Sequence, residues 1–233
     1  MGWIIPHGAS TFVAEIDFLY YLILIITGIA FVLVEAGLLY FSFKYRARPG
    51  RKAHYTHGNV TAEVIWTAVP AVTVVVIGIM SGPVWTKIKG RTSVPAGALA
   101  YNLVAKQFEW NVGYPGPDGN LNTADDFKVR NQLHIPVNRD VVLESTAEDV
   151  IHSFFVPQFR LKQDVVPGMR MRIWFRATEP GQYEMACAEL CGLGHYKMRA
   201  FVTVHTQEEY DQWLAERAAQ AQSEAQPSAV ASR

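Results

Sequence analysis

Two stretches of this chain carry almost no charge, and that restricts its architecture more than any other feature. Residues 18–43 contain one charged side chain, Glu35, and residues 64–85 contain none. These stretches are 26 and 22 residues long, and at about 1.5 Å of rise per residue each makes a helix able to cross a hydrocarbon core of about 30 Å. A helix also satisfies its own backbone polar groups, as lipid requires. A transmembrane helical hairpin over residues 18–86 is therefore expected, after an external segment, residues 1–17.

Basic residues orient the hairpin. The connection holds Lys44, Arg46, Arg48, Arg51 and Lys52 with no acid among them, whereas residues 1–17 have no Lys or Arg. The positive-inside rule places such a connection in the cytoplasm and both termini outside. The first apolar run lacks a basic leading region and is too long for a signal peptide, so it is read as a retained helix. The expected location is the plasma (inner) membrane of a prokaryote, with the rest of the chain on the periplasmic or external side. The two spans make a lipid bilayer a partner, and a net charge of zero proposes no nucleic acid.

Beyond the second span the composition becomes that of a soluble domain, residues 87–206. Segments rich in Val, Ile, Phe, Tyr and Trp, at 99–114, 128–135, 140–145, 150–156, 171–177, 181–186 and 198–204, alternate with Pro, Gly, Asn and Asp turns and read as antiparallel strands. An all-β Greek-key sandwich or barrel fits them. The acidic turn around 122–126 reads as a solvated loop rather than a cation site. Residues 207–233 start as a helix, with Tyr210, Trp213 and Leu214 laying one stripe on the sandwich, and the last dozen residues are expected to be mobile.

The chemistry is concentrated in one run. Cys187 and Cys191, the only cysteines, open Cys187-Ala-Glu-Leu-Cys191-Gly-Leu-Gly-His195-Tyr-Lys-Met198. Thiolates, imidazole and thioether are soft or borderline donors, the set that suits copper rather than calcium or magnesium. One copper needs one Cys, so two thiolates so close suggest two coppers sharing sulfurs. The same cysteines would serve a disulfide, or, with His195 and a distant His, a structural Cys2His2 zinc site. Met198 sets copper ahead, because zinc rarely recruits a thioether and a disulfide needs neither neighbour. For the remote ligand, His7 precedes the first helix, His54 and His57 lie in the cytoplasmic connection, His205 sits past the last strand, and His134 alternates within an apolar strand as a packed or surface residue. His152, at a strand end beside an irregular segment, is the stronger candidate. No haem-attachment motif and no internal repeat occur.

The hairpin, the segment Val150-Ile-His-Ser-Phe-Phe-Val-Pro157, Val166-Pro-Gly168 and the cysteine run together closely resemble cytochrome c oxidase subunit II over about residues 15–205. The resemblance implies a cupredoxin-like fold and a dinuclear CuA centre. In it Cys187 and Cys191 bridge two coppers, His152 and His195 each terminate one, Met198 is a weak ligand, and the Glu189 backbone carbonyl completes the set. It also implies that the Glu189 side chain helps hold magnesium at the boundary with subunit I. Electrons from a cytochrome c, or another c-type donor, would enter here and pass to haems carried by subunit I alone, driving oxygen reduction to water with proton pumping. Subunit III is a further implied partner. The runner-up function is a membrane-tethered copper carrier or chaperone.

Several residues carry separate expectations. The family's aromatic stretch Gly-His-Gln-Trp-Tyr-Trp is matched here by Ala105-Lys-Gln-Phe108-Glu-Trp110, which puts Phe108 at the electron-uptake position and leaves Trp110 to the core. Glu63, at the start of the second helix, matches a family Glu near the mouth of a proton pathway, and equally suits a helix amino terminus. Glu148 and Asp149 match acidic positions used for donor docking. From Lys87 onward 16 Lys and Arg face 17 Asp and Glu, so the domain offers no general lure for a basic cytochrome. Glu35 matches no family motif, and an unpaired charge in the bilayer costs on the order of 3 kcal/mol, so it is expected to be neutral, bonded to another subunit or near headgroups.

Overall fold

The computed structural model describes residues 4–90 and 93–225, in two compact units: Ala14–Gly90, and Met1–Val13 with Arg91–Arg233. The membrane unit contains two helices, α1 (Val13–Lys44) and α2 (Val60–Lys89), of 32 and 30 residues. At about 1.5 Å per residue they span roughly 48 and 45 Å, so both outrun the hydrocarbon core. Neither buries a single residue. Their apolar side chains face outward all round, as lipid or neighbouring subunits require. Hydroxyls within the spans are spent on their own helix, Thr27 donating to the Ile23 carbonyl (2.8 Å) and Thr73 to that of Val69 (2.8 Å). Asn59 caps α2 by accepting from the Ala62 N–H at 3.1 Å. Within this unit Lys87 pairs with Glu15 at 2.7 Å.

The other unit is a two-layer β-sandwich of ten strands. One sheet has the order β3-β2-β1-β5-β8 and the other β4-β10-β9-β6-β7. The strands are β1 (Leu99–Lys106), β2 (Glu109–Tyr114), β3 (Phe127–Arg130), β4 (Gln132–Pro136), β5 (Asp140–Ala147), β6 (His152–Val156), β7 (Leu161–Val165), β8 (Met171–Arg176), β9 (Gly181–Cys187) and β10 (Arg199–His205). Alternation selects the core. In β1, Tyr101, Leu103 and Ala105 are buried, and Trp110, Leu143, Phe154 and Phe175 from other strands, with Phe159 from the short 3-10 turn after β6, are buried in the same unit. Each such side chain contributes about 1.5–3 kcal/mol by leaving water.

The expectations drawn from sequence need four corrections in this sandwich, the first being that segment 99–114 is a hairpin of two strands, β1 and β2, turning at Gln107 and Phe108. Segment 128–135 is two strands, because Asn131 adopts a left-handed conformation (φ 57°) and carries the chain from one sheet into the other. Its side chain is fixed there by accepting from the Trp110 N–H at 2.8 Å. The strands are not all antiparallel, since β1 pairs with β5, and β4 with β10, in parallel. Strand β7, which alternation did not reveal, follows a left-handed Arg160 (φ 56°) and pairs with β6 along its length.

Residues ahead of α1 also belong to the sandwich. Ala9 donates to Gln158 O (2.8 Å) and accepts from the Thr178 N–H (3.0 Å), Ser10 Oγ donates to Phe159 O (2.8 Å), and buried Phe12 meets Trp174 edge-on at 4.8 Å. The carboxyl-terminal helix α3 (Gln207–Ala225) lays Tyr210 and Trp213 on the sandwich. Tyr210 and Tyr101 share a hydroxyl hydrogen bond of 2.7 Å. The expected mobile tail falls partly within α3, and its remaining residues, 226–233, lie outside the described residues.

Candidate metal centre

Antiparallel pairing brings the chemistry together at one end of the second sheet. β6 begins with His152 where β9 ends with Cys187, and Phe154 lies opposite Cys187 in the ladder. The β9–β10 connection then supplies Cys191, His195 and Met198, held by the Cys187 N–H on Met198 O (3.0 Å) and the Ala188 N–H on Ser153 O (3.0 Å). His152 opens its strand, so it is locked by ladder bonds rather than carried by the irregular segment the sequence suggested.

Six donors converge there. The two sulfurs are 3.8 Å apart and are free thiols, so the disulfide alternative is not the one adopted. Cys187 Sγ has His152 Nδ1 at 3.9 Å and donates to Glu189 O at 3.2 Å. Cys191 Sγ has His195 Nδ1 at 3.6 Å and Met198 Sδ at 3.7 Å. Each sulfur thus has its own imidazole and one weak donor. A structural zinc ion takes four ligands and leaves Met198 and the Glu189 carbonyl without a role, whereas soft donors in two sets sharing sulfurs fit copper. Among the described residues His152, Cys187 and Cys191 form the one group of metal-ligating side chains, with ligand atoms within 4.8 Å of one another. The Glu189 side chain is exposed and no acid joins it in such a group among the described residues.

Electrostatics prepares the site for a cation. Burial pushes the Cys191 thiol up to about 11, and the neighbouring Cys187 adds to the effect, so a metal must displace its proton on binding. The ring of His152 is completely buried, and its Nε2 is bonded to Asp149 Oδ1 at 2.9 Å, which leaves Nδ1 directed at sulfur. Such a carboxylate orients a ligating imidazole and strengthens it as a donor. Burial opposes ionisation of Asp149, but N–H donors from Gln107 (2.7 Å) and Val150 (2.7 Å), together with His152, outweigh it and hold the carboxyl below its usual range.

The aromatic candidates separate clearly. Trp110 is fully buried, meets the His152 ring at 6.1 Å, and its indole N–H has no hydrogen-bond partner. Phe108 is half-buried at the β1–β2 turn and lies over the metal loop, where a Cβ at Gly192 would stand 3.2 Å from its ring. Glu148 is exposed. Asp149, expected as a docking acid, spends both carboxylate oxygens on internal bonds. The sequence did not reveal the bonds from Asp149 to His152 and from Gln107 to Cys191 O, because an acid three residues before a histidine and a Gln in a two-residue turn both look like solvated surface. Glu63 sits in the first turn of α2, with its side chain turned back toward Gly58.

His134 is packed, as expected, and belongs to a second cluster. Its Nδ1 is 2.8 Å from His205 Nε2, its Nε2 is 3.2 Å from Gln132 Oε1, and the Trp213 indole covers it at 4.1 Å. His205 ends β10 rather than lying past it.

Comparison with known proteins agrees with this arrangement. Residues 1–84 match the transmembrane domain of cytochrome c oxidase subunit II and residues 113–205 its periplasmic domain. The chain is 34% identical over 214 residues to an alternative cytochrome c oxidase subunit 2 of Bradyrhizobium diazoefficiens, covering 81% of this chain and 75% of that protein. It is 31% identical over 262 residues to cytochrome c oxidase subunit 2 of Thermostichus vulcanus, covering 90% and 77%. Among solved structures, the periplasmic domain of subunit II from Bradyrhizobium japonicum is 28% identical with a TM-score of 0.48, covering 55% of this chain and 98% of that one. With both domains matched in order, and with relatives above 30% identity covered over three quarters of their length, the chain belongs to the cytochrome c oxidase subunit II family, as a membrane-spanning subunit of that oxidase.

Proposed function

We propose that this chain is the electron-uptake subunit of its oxidase, holding a dinuclear CuA centre that takes electrons from a c-type cytochrome and hands them to the haems of subunit I. The observation that carries this reading is the paired geometry of Cys187 and Cys191, each with its own imidazole at 3.6–3.9 Å. Bound there, two coppers sharing thiolates spread one unpaired electron over both metals, so that a change of redox state alters each bond little. The protein's part is to hold the donors still and dry. Phe154, Val156 and Trp110 are fully buried behind His152 and exclude water. Three of the five side-chain ligands come from the short β9–β10 connection and a fourth, Cys187, ends β9. A copper chaperone needs labile ligands, and a cage of six donors anchored at the ladder positions of His152 and Cys187 is ill suited to release.

Connectivity supports a periplasmic copper domain. Residues 9–12 belong to the sandwich and the chain returns to it after α2, so both outer ends of the hairpin join the copper domain. With the basic connection in the cytoplasm, the domain lies on the periplasmic face. The exposed Glu189 side chain is the chain's contribution to a magnesium site shared with subunit I, Glu63 serves a proton pathway mouth, and Phe108 and Glu148 meet the donor. Subunit III completes the complex.

Stopped-flow mixing of reduced cytochrome c with the assembled oxidase tests this directly. Phe108→Ala is expected to slow uptake about tenfold at unchanged copper content, and added salt to slow association where Glu148 steers the donor. Uptake that proceeds at the normal rate in a complex whose subunit II lacks copper would remove this chain from the electron path.

A further inference from the structure

The sandwich's other sheet reaches across to the metal loop at one point. The β1–β2 hairpin turns on Gln107 and Phe108, and both residues grip the segment between two of the proposed ligands, Cys191 and His195. The Gln107 side-chain amide donates to Cys191 O at 2.6 Å, while its backbone N–H donates to Asp149 Oδ2 at 2.7 Å. Asp149 in turn holds His152 at 2.9 Å. One residue therefore bonds to both halves of the site: the loop that carries Cys191 and His195, and the carboxylate that aims His152. The Glu148 N–H on Ala105 O (3.0 Å) fixes the Asp149 segment to the end of β1, so that the spacing between these partners is set by ladder bonds.

Two glycines make room for this grip. A Cβ on Gly192 would fall 2.8 Å from Gln107 Nε2, and a Cβ on Gly194 would overlap the Phe108 ring. At Gly192 the backbone (φ 128°) also calls for glycine. Gly194 has φ −91°, open to any residue, so there the side-chain space alone selects glycine.

We propose that Gln107 is a positioning residue which, with Phe108 seated against Gly192 and Gly194, ties the Cys191–His195 loop to the Asp149–His152 pair and sets the mutual placement of the two imidazoles. It touches no metal. Its task is to keep both ligand sets in register, so that the two halves of the site do not relax independently. This rests on the copper reading, which is checked separately because failure there shows in the unmodified protein as the absence of two coppers per chain.

The test compares the copper-loaded, full-length chain in nanodiscs as wild type, Gln107→Ala, Gln107→Glu, Gly194→Ala and Val129→Ala. Copper release to a chelator is timed, and the electron paramagnetic resonance and near-infrared spectra of the oxidised centre are recorded. Orienting partners of metal ligands cost about 10–100-fold in affinity when removed, so Gln107→Ala and Gly194→Ala are each expected to release copper at least about tenfold faster and to alter both spectra. Gln107→Glu keeps the shape but loses the amide donor, and should behave like Gln107→Ala; it decides the matter if the alanine variant fails to fold. Val129→Ala, in β3 far from the loop, should lower thermal stability without moving either spectrum. Wild-type spectra and release in Gln107→Glu, or equal changes in Val129→Ala, would overturn the proposal.

Discussion

Two buried histidines in the same sandwich, His152 and His134, differ in how they spend their ring nitrogens. His134 uses both, one on His205 and one on Gln132, and Trp213 closes over it. His152 gives Nε2 to Asp149 and presents Nδ1 to Cys187. Burial is nearly the same, 9% exposed against 0%. What distinguishes a ligand from a structural imidazole is therefore one nitrogen left uncommitted, aimed by a carboxylate on the other, and facing soft donors. His134 holds α3 to the sandwich through Trp213, whereas His152 is the proposed metal ligand.

Exchanging the two roles is the most severe way to break this contrast. His152→Ala should weaken copper binding by more than about 100-fold and, because the buried ring leaves Asp149 without its partner, should also cost the metal-free chain about 1–3 kcal/mol. His134→Ala should keep the copper and lose about 1–3 kcal/mol of stability, since His205 is left without its partner. Metal analysis and thermal melts of both variants would show whether the effects separate; equal copper loss in both would erase the distinction.

Acid sharpens the contrast further. Burial first, then His205 and Arg217, holds His134 at about 4, against the ordinary 6.5. Between those values the unfolded chain binds a proton that the folded chain refuses, so stability is complete above about pH 6.5 and falls as pH drops toward 4, by about 3 kcal/mol for this group. His205, also lowered chiefly by burial, adds in the same direction. Chemical denaturation of the metal-free full chain across this window, with His134→Gln as control, should show the loss in wild type and a shallower one in the variant. A smaller effect is expected from Asp149→Ala, which leaves the ligands in place and should cost about 10–100-fold in copper affinity, read by competition with a chelator. Unchanged affinity would mean that His152 is aimed by packing alone.

Much of the molecule is legible in its residues alone. Uncharged runs announce membrane helices because lipid tolerates nothing else, and the donor types between Cys187 and Met198 announce copper because few other uses require them together. Alternation located most strands, and the Tyr210 and Trp213 stripe pointed to α3. The remainder depended on three-dimensional partners. A single left-handed Asn131 moved a strand between sheets without disturbing its alternation, and β7 was hidden by the polar Lys162, Gln163 and Asp164 of an edge strand. The docking of residues 9–12 on the sandwich has no local pattern at all, since it relies on Gln158, Phe159 and Thr178 brought from far along the chain. Within the site the converging donors were readable, and the hydrogen bonds that Asp149 and Gln107 make to them were not, because such bonds leave no periodicity.

The proposed role stands on two sulfurs serving as one electronic unit. Quantifying copper per polypeptide in the reconstituted, oxidised full-length chain, together with its electron paramagnetic resonance spectrum, addresses this without intermediaries. Two coppers per chain, with hyperfine structure from one electron shared equally between them and lost on Cys187→Ser or Cys191→Ser, is the expected result. A single copper with its own hyperfine pattern, or full metal content after the sulfurs are replaced, would contradict it.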